Sequence, residues 1–518
     1  MKYRLVNTSI LIIGVALFVS GCLRKSKVPE NSDPNIFLIM SDDHAYQAIS
    51  SYNSSLINTP NIDRLADEGV VFQRAFVTNS ICAPSRAVIL TGKYSHLNGV
   101  KGNSEFFDGN QETMPKLFQQ HGYETAIVGK WHLKSDPVGF DYWNVLPGQG
   151  DYYNPDFKRM GADTVYQGYV TDIITDLTIE FLDHRDHKKP FFMMMHHKAP
   201  HRNWMPALKY LHHFSDSSFR LPKTFHDQYE NRLALQRQML TVANHMDIRL
   251  DFKIPCDTCD TVAVNHWAPS EFQRRMARLT NKEKRIWDKA YQFEVEKYIS
   301  NSMNEDELIQ WMYNRYLQDY LRCILSVDES VGVVLDYLNE NDLENNTLVV
   351  YTSDQGFFLG EHGLFDKRFM YEEAFRTPML MRFPNQIEKG LKLNEMVLNL
   401  DIAPTLLTVA GIEVPRTLQG KSMTGLWTAG EVQLWREAIY YHYYEMGFGA
   451  TPHYGIRTDR YKLIHYYDPI DSWELFDLES DPYEITNIYG QKENIEIISS
   501  LKNQLTELQK QYLDVEFK

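Results

Sequence analysis

Four short apolar segments of this chain are each followed by side chains that could do chemistry. The four polar groups are Ser41-Asp42-Asp43-His44, Gly129-Lys130-Trp131-His132, His196-His197-Lys198 and Ser353-Asp354-Gln355-Gly356. Carboxylates and amide oxygens bind hard cations, lysines stabilise anions, and imidazoles transfer protons. One polar group after an apolar segment is common, but four of them at one edge of a sheet would form a site.

The elements around these groups predict such an edge. The apolar segments 36–40, 125–128, 191–195 and 348–352 have the length and composition of buried parallel strands. Helical signals lie between them, with Thr59-Pro60 as a helix start and a helical apolar face over 321–338. Strands alternating with helices predict an α/β fold with a doubly wound, mainly parallel sheet. Ligands of such sheets bind beyond the carboxyl ends of the strands, where the polar groups stand.

The sharpest motif is Cys82-Ala83-Pro84-Ser85-Arg86-Ala87-Val88-Ile89-Leu90-Thr91-Gly92. It resembles the signature of the formylglycine-dependent type I sulfatases of the alkaline phosphatase superfamily, and the resemblance extends from about residue 35 to 489. The resemblance implies calcium-dependent hydrolysis of sulfate esters in an alkaline-phosphatase-like fold. It also implies a maturation enzyme that oxidises Cys82 to formylglycine, the catalytic nucleophile.

This modification has a chemical reason. An ordinary serine that attacked a sulfate ester would be left with a stable ester of its own, whereas a hydrated aldehyde can eject sulfate and regenerate itself. The segment after Cys82 also begins a helix, and backbone N–H groups at a helix start favour an anion. Arg86, one turn along, fits a role in holding the nucleophile.

The family resemblance also implies the metal ligands. Asp42, Asp43, Asp354 and Gln355 match the four protein ligands, and formylglycine at Cys82 completes the shell. Three carboxylates and an amide form an all-oxygen set that suits calcium and not zinc. Many members have asparagine or histidine where this chain has Gln355, so this position marks a subgroup.

Four further residues match the family's catalytic positions. Lys130 and His132 correspond to the pair that contacts the nucleophile and sulfate, and Lys367 to the lysine that bridges sulfate and leaving oxygen. His197 is assigned to the sulfate-side histidine, although the neighbouring His196 differs from it only by register.

The segments 354–363 and 366–373 resemble the bacterial branch that acts on 6-O-sulfated N-acetylglucosamine in mucin or heparin-type saccharides. Asp366 and Arg368 flank Lys367 and are expected to hold hydroxyl groups of the sugar. They could instead form a structural ion pair. His201 and His453 are further candidates for substrate binding.

Other functions stay open at this stage. A different sulfated sugar, or a phosphonate or phosphodiester hydrolysed by the same superfamily, is compatible with the motifs. A non-catalytic glycan-binding lipoprotein is disfavoured by the complete nucleophile motif and metal set. The net charge of -15 disfavours nucleic acid as a partner, because a phosphate backbone would be repelled.

The N-terminus predicts export. A basic start and a short apolar run precede Val19-Ser20-Gly21-Cys22, which resembles a bacterial lipoprotein signal of residues 1–22. Lipidation of Cys22 would anchor the protein to a membrane in the periplasm or cell envelope, through a tether over 23–34. A plain signal peptide with an incidental cysteine is the alternative.

The rest of the chain predicts two units. A catalytic domain spans 35–434, with a helical insertion at about 203–320, and a smaller antiparallel α+β domain spans 435–518. Cys256 and Cys259 have the spacing of a redox or zinc half-site, but a local disulfide or two unrelated thiols fits better because there is no second pair.

Overall fold

The computed structural model describes residues 33–256, 266–428 and 434–514. The predicted signal peptide, Cys22 and Cys259 lie outside these residues, as does all of the predicted tether except Asp33 and Pro34. Cys256 is disulfide-bonded, and Cys82 and Cys323 are free thiols. None of the described helices combines the length and apolar character needed to cross a membrane.

The strands follow one another along the chain as β1 (Asn35–Ser41), β2 (Val70–Phe76), β3 (Glu124–Lys130), β4 (Tyr142–Leu146), β5 (Asp156–Arg159), β6 (Ala162–Val165), β7 (Phe191–His196), β8 (Thr347–Ser353), β9 (Phe358–Leu359), β10 (Phe365–Asp366), β11 (Met379–Arg382), β12 (Leu391–Leu398), β13 (Ala438–Tyr443), β14 (His453–Thr458), β15 (Tyr461–Tyr466) and β16 (Ser472–Asp477). The helices are α1 (Pro60–Asp67), α2 (Cys82–Thr91), α3 (Ser95–Asn98), α4 (Met114–Gln120), α5 (Val170–His184), α6 (Leu233–Arg237), α7 (Val242–His245), α8 (Ala268–Met276), α9 (Asn281–Ile299), α10 (Glu305–Glu340), α11 (Glu372–Phe375), α12 (Ile402–Val409), α13 (Thr424–Trp427) and α14 (Ile495–Gln511).

Ten of the described strands form one mixed sheet in the order β12-β2-β11-β8-β1-β7-β3-β4-β5-β6. The four segments predicted as strands are β8, β1, β7 and β3, which are consecutive neighbours and pair in parallel. Met40 lies opposite both Thr352 and His196, and Gly129 also lies opposite His196, so the four strands end at the same level. The fold class and the common edge are thus as predicted from the sequence.

Helices cover both faces of this sheet. Alternate residues of β1 enter two separate cores: Phe37 and Ile39 pack with α1, α5 and α10, whereas Ile36 and Leu38 pack with α2, α4 and α12. The whole of β1 is buried, which is why its residues 36–40 are continuously apolar and lack the alternation of a half-exposed strand.

A second sheet near the C-terminus has the order β13-β14-β15-β16 and is antiparallel throughout. It meets the catalytic part through buried polar contacts: the Tyr371 hydroxyl donates to Glu474 at 2.8 Å, and Lys462 pairs with Glu372 at 2.9 Å. Tyr371 and Glu372 follow β10 closely in sequence. The small sheet therefore supports the segment that carries Asp366, Lys367 and Arg368.

The region read as a helical insertion is less regular than expected in its first half. Residues 203–256 contain the short α6 and α7, one 3-10 helix at Leu208–Tyr210, and turns. Its second half contains α8 and α9, and Thr280 caps α9 in a capping box with Glu283. Residue 320, the predicted end of the insertion, lies inside the uninterrupted α10.

Candidate active site

The loops that follow β1 and β8 bring three carboxylates together. Asp42, Asp43 and Asp354 are fully buried, and their nearest oxygen atoms lie within 4.8 Å of one another. Burial and the other two aspartates raise the pKa of Asp43 to about 7, although Lys367 opposes this. Burial and Asp42 raise the pKa of Asp354 to about 6, although Arg86 opposes this. Like charges held this close in a buried place need a cation to offset them.

Each of these carboxylates accepts a hydrogen bond from a different basic side chain. Arg86 donates to Asp354 from Nε at 3.0 Å and from Nη2 at 2.9 Å. The Lys367 ammonium lies 2.7 Å from Oδ2 of Asp43, and that of Lys130 contacts Asp42. Burial works against ionisation of Asp42, but Lys130 holds the pKa of this carboxyl well below its usual range.

The set of donor atoms fits a hard divalent cation. Gln355 lies beside Asp43, to which its amide nitrogen donates, and its Oε1 is buried without a hydrogen-bond partner among the described residues. An unused amide oxygen next to three carboxylates provides the all-oxygen environment that calcium prefers. The four residues matched from the sequence are thus brought together.

Cys82 is the first residue of α2 and points at this group. Its Sγ lies 3.5 Å from Oδ1 of Asp42, and it is completely buried. The whole of α2 is buried, which fixes the position of Cys82 at the helix start. Burial raises the pKa of the Cys82 thiol more than Lys367 and Lys130 lower it.

Lys130 and His132 follow the end of β3. The Lys130 carbonyl accepts from Arg86 at 2.8 Å, so the two basic residues are fixed to each other. His132 adopts a left-handed backbone conformation (φ 57°), and its Nδ1 is buried with no hydrogen-bond partner in the described part of the chain. Burial, assisted by Lys130, lowers the pKa of His132 well below its ordinary value.

The structure does not place His197 in this group, which corrects the assignment from the sequence. The backbone N–H of His197 donates to the Met40 carbonyl at 2.8 Å, and its Nε2 lies 3.3 Å from the Ser330 hydroxyl on α10. Its ring is therefore packed in the core beside α10. His196 contacts the Lys130 carbonyl through Nδ1 at 3.1 Å and is not at the cavity wall either.

His201 occupies the position expected for His197. A ring nitrogen of His201, a carboxylate oxygen of Asp42 and Sγ of Cys82 all lie within 4.8 Å of one another. Its Nε2 is 3.7 Å from Oδ2 of Asp43. His201 was expected to bind substrate, and its ring also lies near the nucleophile position.

Asp366, Lys367 and Arg368 form one wall of the site. Asp366 and Arg368 have positive φ angles of 78° and 92°, which are uncommon for residues with side chains and mark a locally constrained backbone. Asp366 Oδ1 accepts the backbone N–H of Lys367 at 2.7 Å, and Arg368 donates from Nη1 to the Tyr443 hydroxyl at 3.1 Å. The Nε of Arg368 is 3.6 Å from Asp366, so the two also form a loose ion pair.

His453 lies outside the site, contrary to the prediction. It is completely buried in an aromatic cluster, stacked on Phe369 and Tyr441, and its Nδ1 contacts the Thr451 carbonyl at 2.7 Å. Tyr443, whose ring also lies against His453, is the residue that reaches Arg368.

A cavity of about 550 Å³ joins these groups, and we call it the central cavity. Its walls include Cys82, Asp43, His201 and the Asp366–Arg368 segment. Residues that the sequence analysis missed also line it, namely Asn103, Gln149, Asp151, Arg202, Trp267, Glu271, Arg274, Arg275, Arg278 and Phe448. Only Gln149 carried a local signal, the glycines on either side of it, which indicate a tight turn.

Three tyrosine hydroxyls on α10 hold the loops that carry the site. Tyr320 donates to the Asp43 carbonyl at 2.8 Å, Tyr316 to the Phe358 carbonyl at 2.6 Å and Tyr313 to the Leu359 carbonyl at 3.1 Å. One rigid helix therefore fixes both the β1 loop and the segment after Gln355.

Comparison with known proteins agrees with this geometry. The Sulfatase family model matches residues 34–412, and the model for the C-terminal region of N-sulphoglucosamine sulphohydrolase matches residues 360–511. An N-acetylglucosamine-6-O-sulfatase from Bacteroides thetaiotaomicron is 45% identical, over 98% of this chain and 92% of that protein. The human N-acetylglucosamine-6-sulfatase is 27% identical, over 84% of this chain and 72% of that protein.

Solved structures of other proteins have the same fold. A protein solved in complex with its substrate D-glucosamine-2-N,6-O-disulfate superposes with a TM-score of 0.90 at 45% identity, covering 94% of this chain and 99% of the other. A phosphonate monoester hydrolase from Silicibacter pomeroyi has a TM-score of 0.67 at 17% identity, covering 93% of this chain and 96% of the other, which shows the shared fold alone.

Proposed function

We propose that this chain, which belongs to the sulfatase family, removes the 6-O-sulfate of N-acetylglucosamine from mucin or heparin-type saccharides. The observation that carries the reaction class is the position of Cys82 beside three carboxylates and three basic side chains in one buried pocket. The activity of the 45% identical relative supports the choice of sugar and sulfate position.

The proposal includes two groups that the chain would acquire. Formylglycine, made from Cys82 by a maturation enzyme, supplies an oxygen nucleophile and lets sulfate leave without a stable ester remaining. Calcium, held by Asp42, Asp43, Asp354 and Gln355, supplies positive charge for the sulfate oxygens. In the structure, the Cys82 sulfur stands in for the nucleophilic oxygen.

The chain's own residues then have distinct tasks. Arg86 and Lys130 hold the nucleophile and place positive charge against the sulfate. Hydrogen bonds fix these two residues to each other, to Asp354 and to Asp42. Lys367, which lines the central cavity, is placed to contact the sulfate and the leaving oxygen. Because these cations are held in place before substrate binds, they stabilise developing negative charge with little reorganisation.

The two histidines near the nucleophile act on protons. His201 faces Cys82 from the central cavity, and burial with Lys130 lowers the pKa of His201, so the ring is neutral at neutral pH. We assign to His132 the task of accepting the hydroxyl proton of the nucleophile when sulfate is released, since its buried Nδ1 has no hydrogen-bond partner among the described residues. His197 has no catalytic task in this scheme.

The histidine assignment can be tested directly. We expect His201→Ala to lower kcat/KM on a 6-sulfated saccharide by roughly 10²- to 10⁴-fold, because a neutral proton donor or acceptor at the nucleophile is lost. The matched control is His197→Ala, which removes a buried contact to Ser330 and should lower the melting temperature while changing kcat/KM less than about tenfold. The reverse pattern would restore the assignment made from the sequence.

The sugar-reading role of Asp366 and Arg368 makes a second prediction. Replacing either with alanine should lower kcat/KM on N-acetylglucosamine-6-sulfate by roughly 30- to 1000-fold, because a pair of charge-assisted hydrogen bonds to the sugar is lost. A small aryl sulfate cannot use these contacts, so its turnover should fall far less.

The same substrate series tests the proposed function as a whole. The wild type should prefer N-acetylglucosamine-6-sulfate to its 3-sulfate isomer, to galactose-6-sulfate and to a phosphonate monoester. A preference for another sulfated sugar would overturn the choice of substrate but not of reaction class. Equal losses on all esters in the Asp366 and Arg368 variants would show that the pair is structural.

We also propose that the protein is exported to the periplasm or cell envelope and anchored through a lipid on Cys22. The support is the signal-like segment 1–22 in the sequence. A lipid-anchored enzyme of this kind would meet sulfated glycans outside the cytoplasm.

A further inference from the structure

We propose that the central cavity contains a second anion-binding subsite, in which Arg275 binds a sulfate or carboxylate of the saccharide other than the 6-O-sulfate. This inference rests on the proposed function, since it takes a sulfated saccharide as the ligand. Arg275 lies on α8 and lines the same cavity as Cys82 and Lys367.

Arg275 belongs to a cluster of three arginines and three carboxylates, in which all three arginines approach Asp151. Arg274 reaches Asp151 at 2.7 Å, Arg278 reaches it at 2.7 Å, and Arg275 Nη1 lies 4.0 Å from it. Two further carboxylates accept from these arginines, but three carboxylates offer fewer lone pairs than three guanidinium ions have N–H groups. The cluster therefore has donors to spare.

The spare donor is on Arg275. Its Nε donates to Glu271 at 2.7 Å, but its Nη1 is buried and has no hydrogen-bond partner in the described part of the chain. Only 8% of Arg275 is exposed. An unsatisfied N–H on a buried cation is costly, and an anion entering the cavity would satisfy it.

Arg278 differs from Arg275 in this respect. Its Nε contacts Asp151 at 2.7 Å, its Nη1 donates to the Asn154 carbonyl at 2.8 Å, and its Nη2 pairs with Asp156. All three nitrogen atoms are thus engaged by the protein. Arg278 therefore has a structural role in the same cluster and serves as a matched control.

The arginine cluster is separated by one short loop from Lys130 and Asp42, where the 6-O-sulfate is expected to bind. Gln149 accepts from Lys130 at 2.5 Å, and Lys130 contacts Asp42. Asp151, two residues after Gln149, holds the arginines. A saccharide whose 6-O-sulfate is bound near Lys130 would thus present another substituent, or the neighbouring ring, to the cluster.

The group that Arg275 would bind therefore carries anionic oxygen atoms and lies near the sulfate that is hydrolysed. An N-sulfate on the same glucosamine and the carboxylate of an adjoining uronic acid both provide it. Both groups can accept two hydrogen bonds from one guanidinium. Experiment can separate these two sources.

The test compares three substrates and three proteins. The substrates are N-acetylglucosamine-6-sulfate, glucosamine-2-N,6-O-disulfate, and a disaccharide with 6-sulfated N-acetylglucosamine next to a uronic acid. The proteins are the wild type, Arg275→Gln and Arg278→Gln, and kcat/KM is measured for each pair. Arg275→Lys is added because it keeps the charge if the glutamine variant does not fold.

We expect the wild type to prefer at least one doubly anionic substrate to the singly sulfated sugar, and Arg275→Gln to reduce that preference by roughly 10- to 100-fold. Arg275→Lys should reduce it less, since the charge remains but the planar fork is lost. Arg278→Gln should lower stability. It should leave unchanged the ratio of kcat/KM on the doubly anionic substrate to kcat/KM on the singly sulfated sugar. The substrate that shows the preference identifies the source of the anion.

Two results would overturn the inference while the proposed function stands: equal wild-type kcat/KM on all three substrates, or an equal loss on all three in the Arg275 variants. Failure of the wild type to hydrolyse any of the three substrates would instead overturn the proposed function, and this inference with it.

Discussion

Replacing Cys82 with alanine is expected to lower kcat/KM on sulfated saccharides and on aryl sulfates alike by roughly four to six orders of magnitude, because the variant has no nucleophile. The thiol is buried at the start of α2, and its Sγ is 3.5 Å from Asp42, which positions this side chain for the task. The fold should survive, since alanine fits where cysteine stood. Circular dichroism and a thermal melt would confirm that the variant is folded.

Cys323 provides the matched control for this experiment. It is also a free and fully buried thiol, but it lies on α10 and not at the wall of the central cavity. Cys323→Ala should reduce stability through a small void and keep nearly full kcat/KM. Cys82→Ser should be inactive when the maturation enzyme accepts only cysteine. Near-normal turnover by Cys82→Ala would remove the basis of the proposed mechanism.

Removing divalent cations should also abolish turnover and lower the melting temperature. Asp42, Asp43 and Asp354 are buried within 4.8 Å of one another, so without a bound cation their mutual repulsion is only partly offset by the three basic side chains. A metal that binds only the folded state at 100 to 1,000 times its Kd adds about 3–4 kcal/mol of stability. The measurement is activity and thermal unfolding after exhaustive chelation, followed by addition of calcium, magnesium or zinc.

Calcium should restore both properties better than zinc, since the donors are all oxygen atoms. Asp354→Asn is expected to raise the calcium concentration needed for half-maximal activity. As a control, Asp328→Asn changes a buried carboxylate that accepts the backbone N–H groups of Asn61 and Ile62 at the start of α1. That variant should lose stability without a change in calcium requirement. Full activity in the chelated enzyme would refute the metal assignment.

The sequence predicted the centre of the site better than its periphery. Asp42 and Asp354 follow β1 and β8, which are buried throughout, and parallel strands end at one edge, so the sequence alone could place the two carboxylates together. Cys82 was identified by its motif. His197 was misplaced because it and His201 stand four residues apart in one polar segment. Only the structure shows that His197 packs against Ser330 and that the ring of His201 lies near Cys82.

The outer wall could not be predicted because no pattern in the chain encodes it. Arg275 and Trp267 come from a segment whose sequence predicts only a helical insertion, and their approach to the central cavity depends on long-range packing. His453 shows the opposite error: a histidine in the small sheet appeared suited to sugar binding, but aromatic neighbours bury it completely. Single polar residues outside a motif carry too little information to be assigned.

The tyrosines of α10 bear on how such a protein can change during evolution. Tyr313, Tyr316 and Tyr320 bind backbone carbonyl groups, so they hold the path of the loops without specifying which side chains the loops carry. Mutations in the loops beyond the metal ligands can therefore alter substrate preference while the catalytic centre keeps its shape. A scaffold of this kind can acquire new specificities through few substitutions, because the position of the chain and the identity of its side chains are controlled separately.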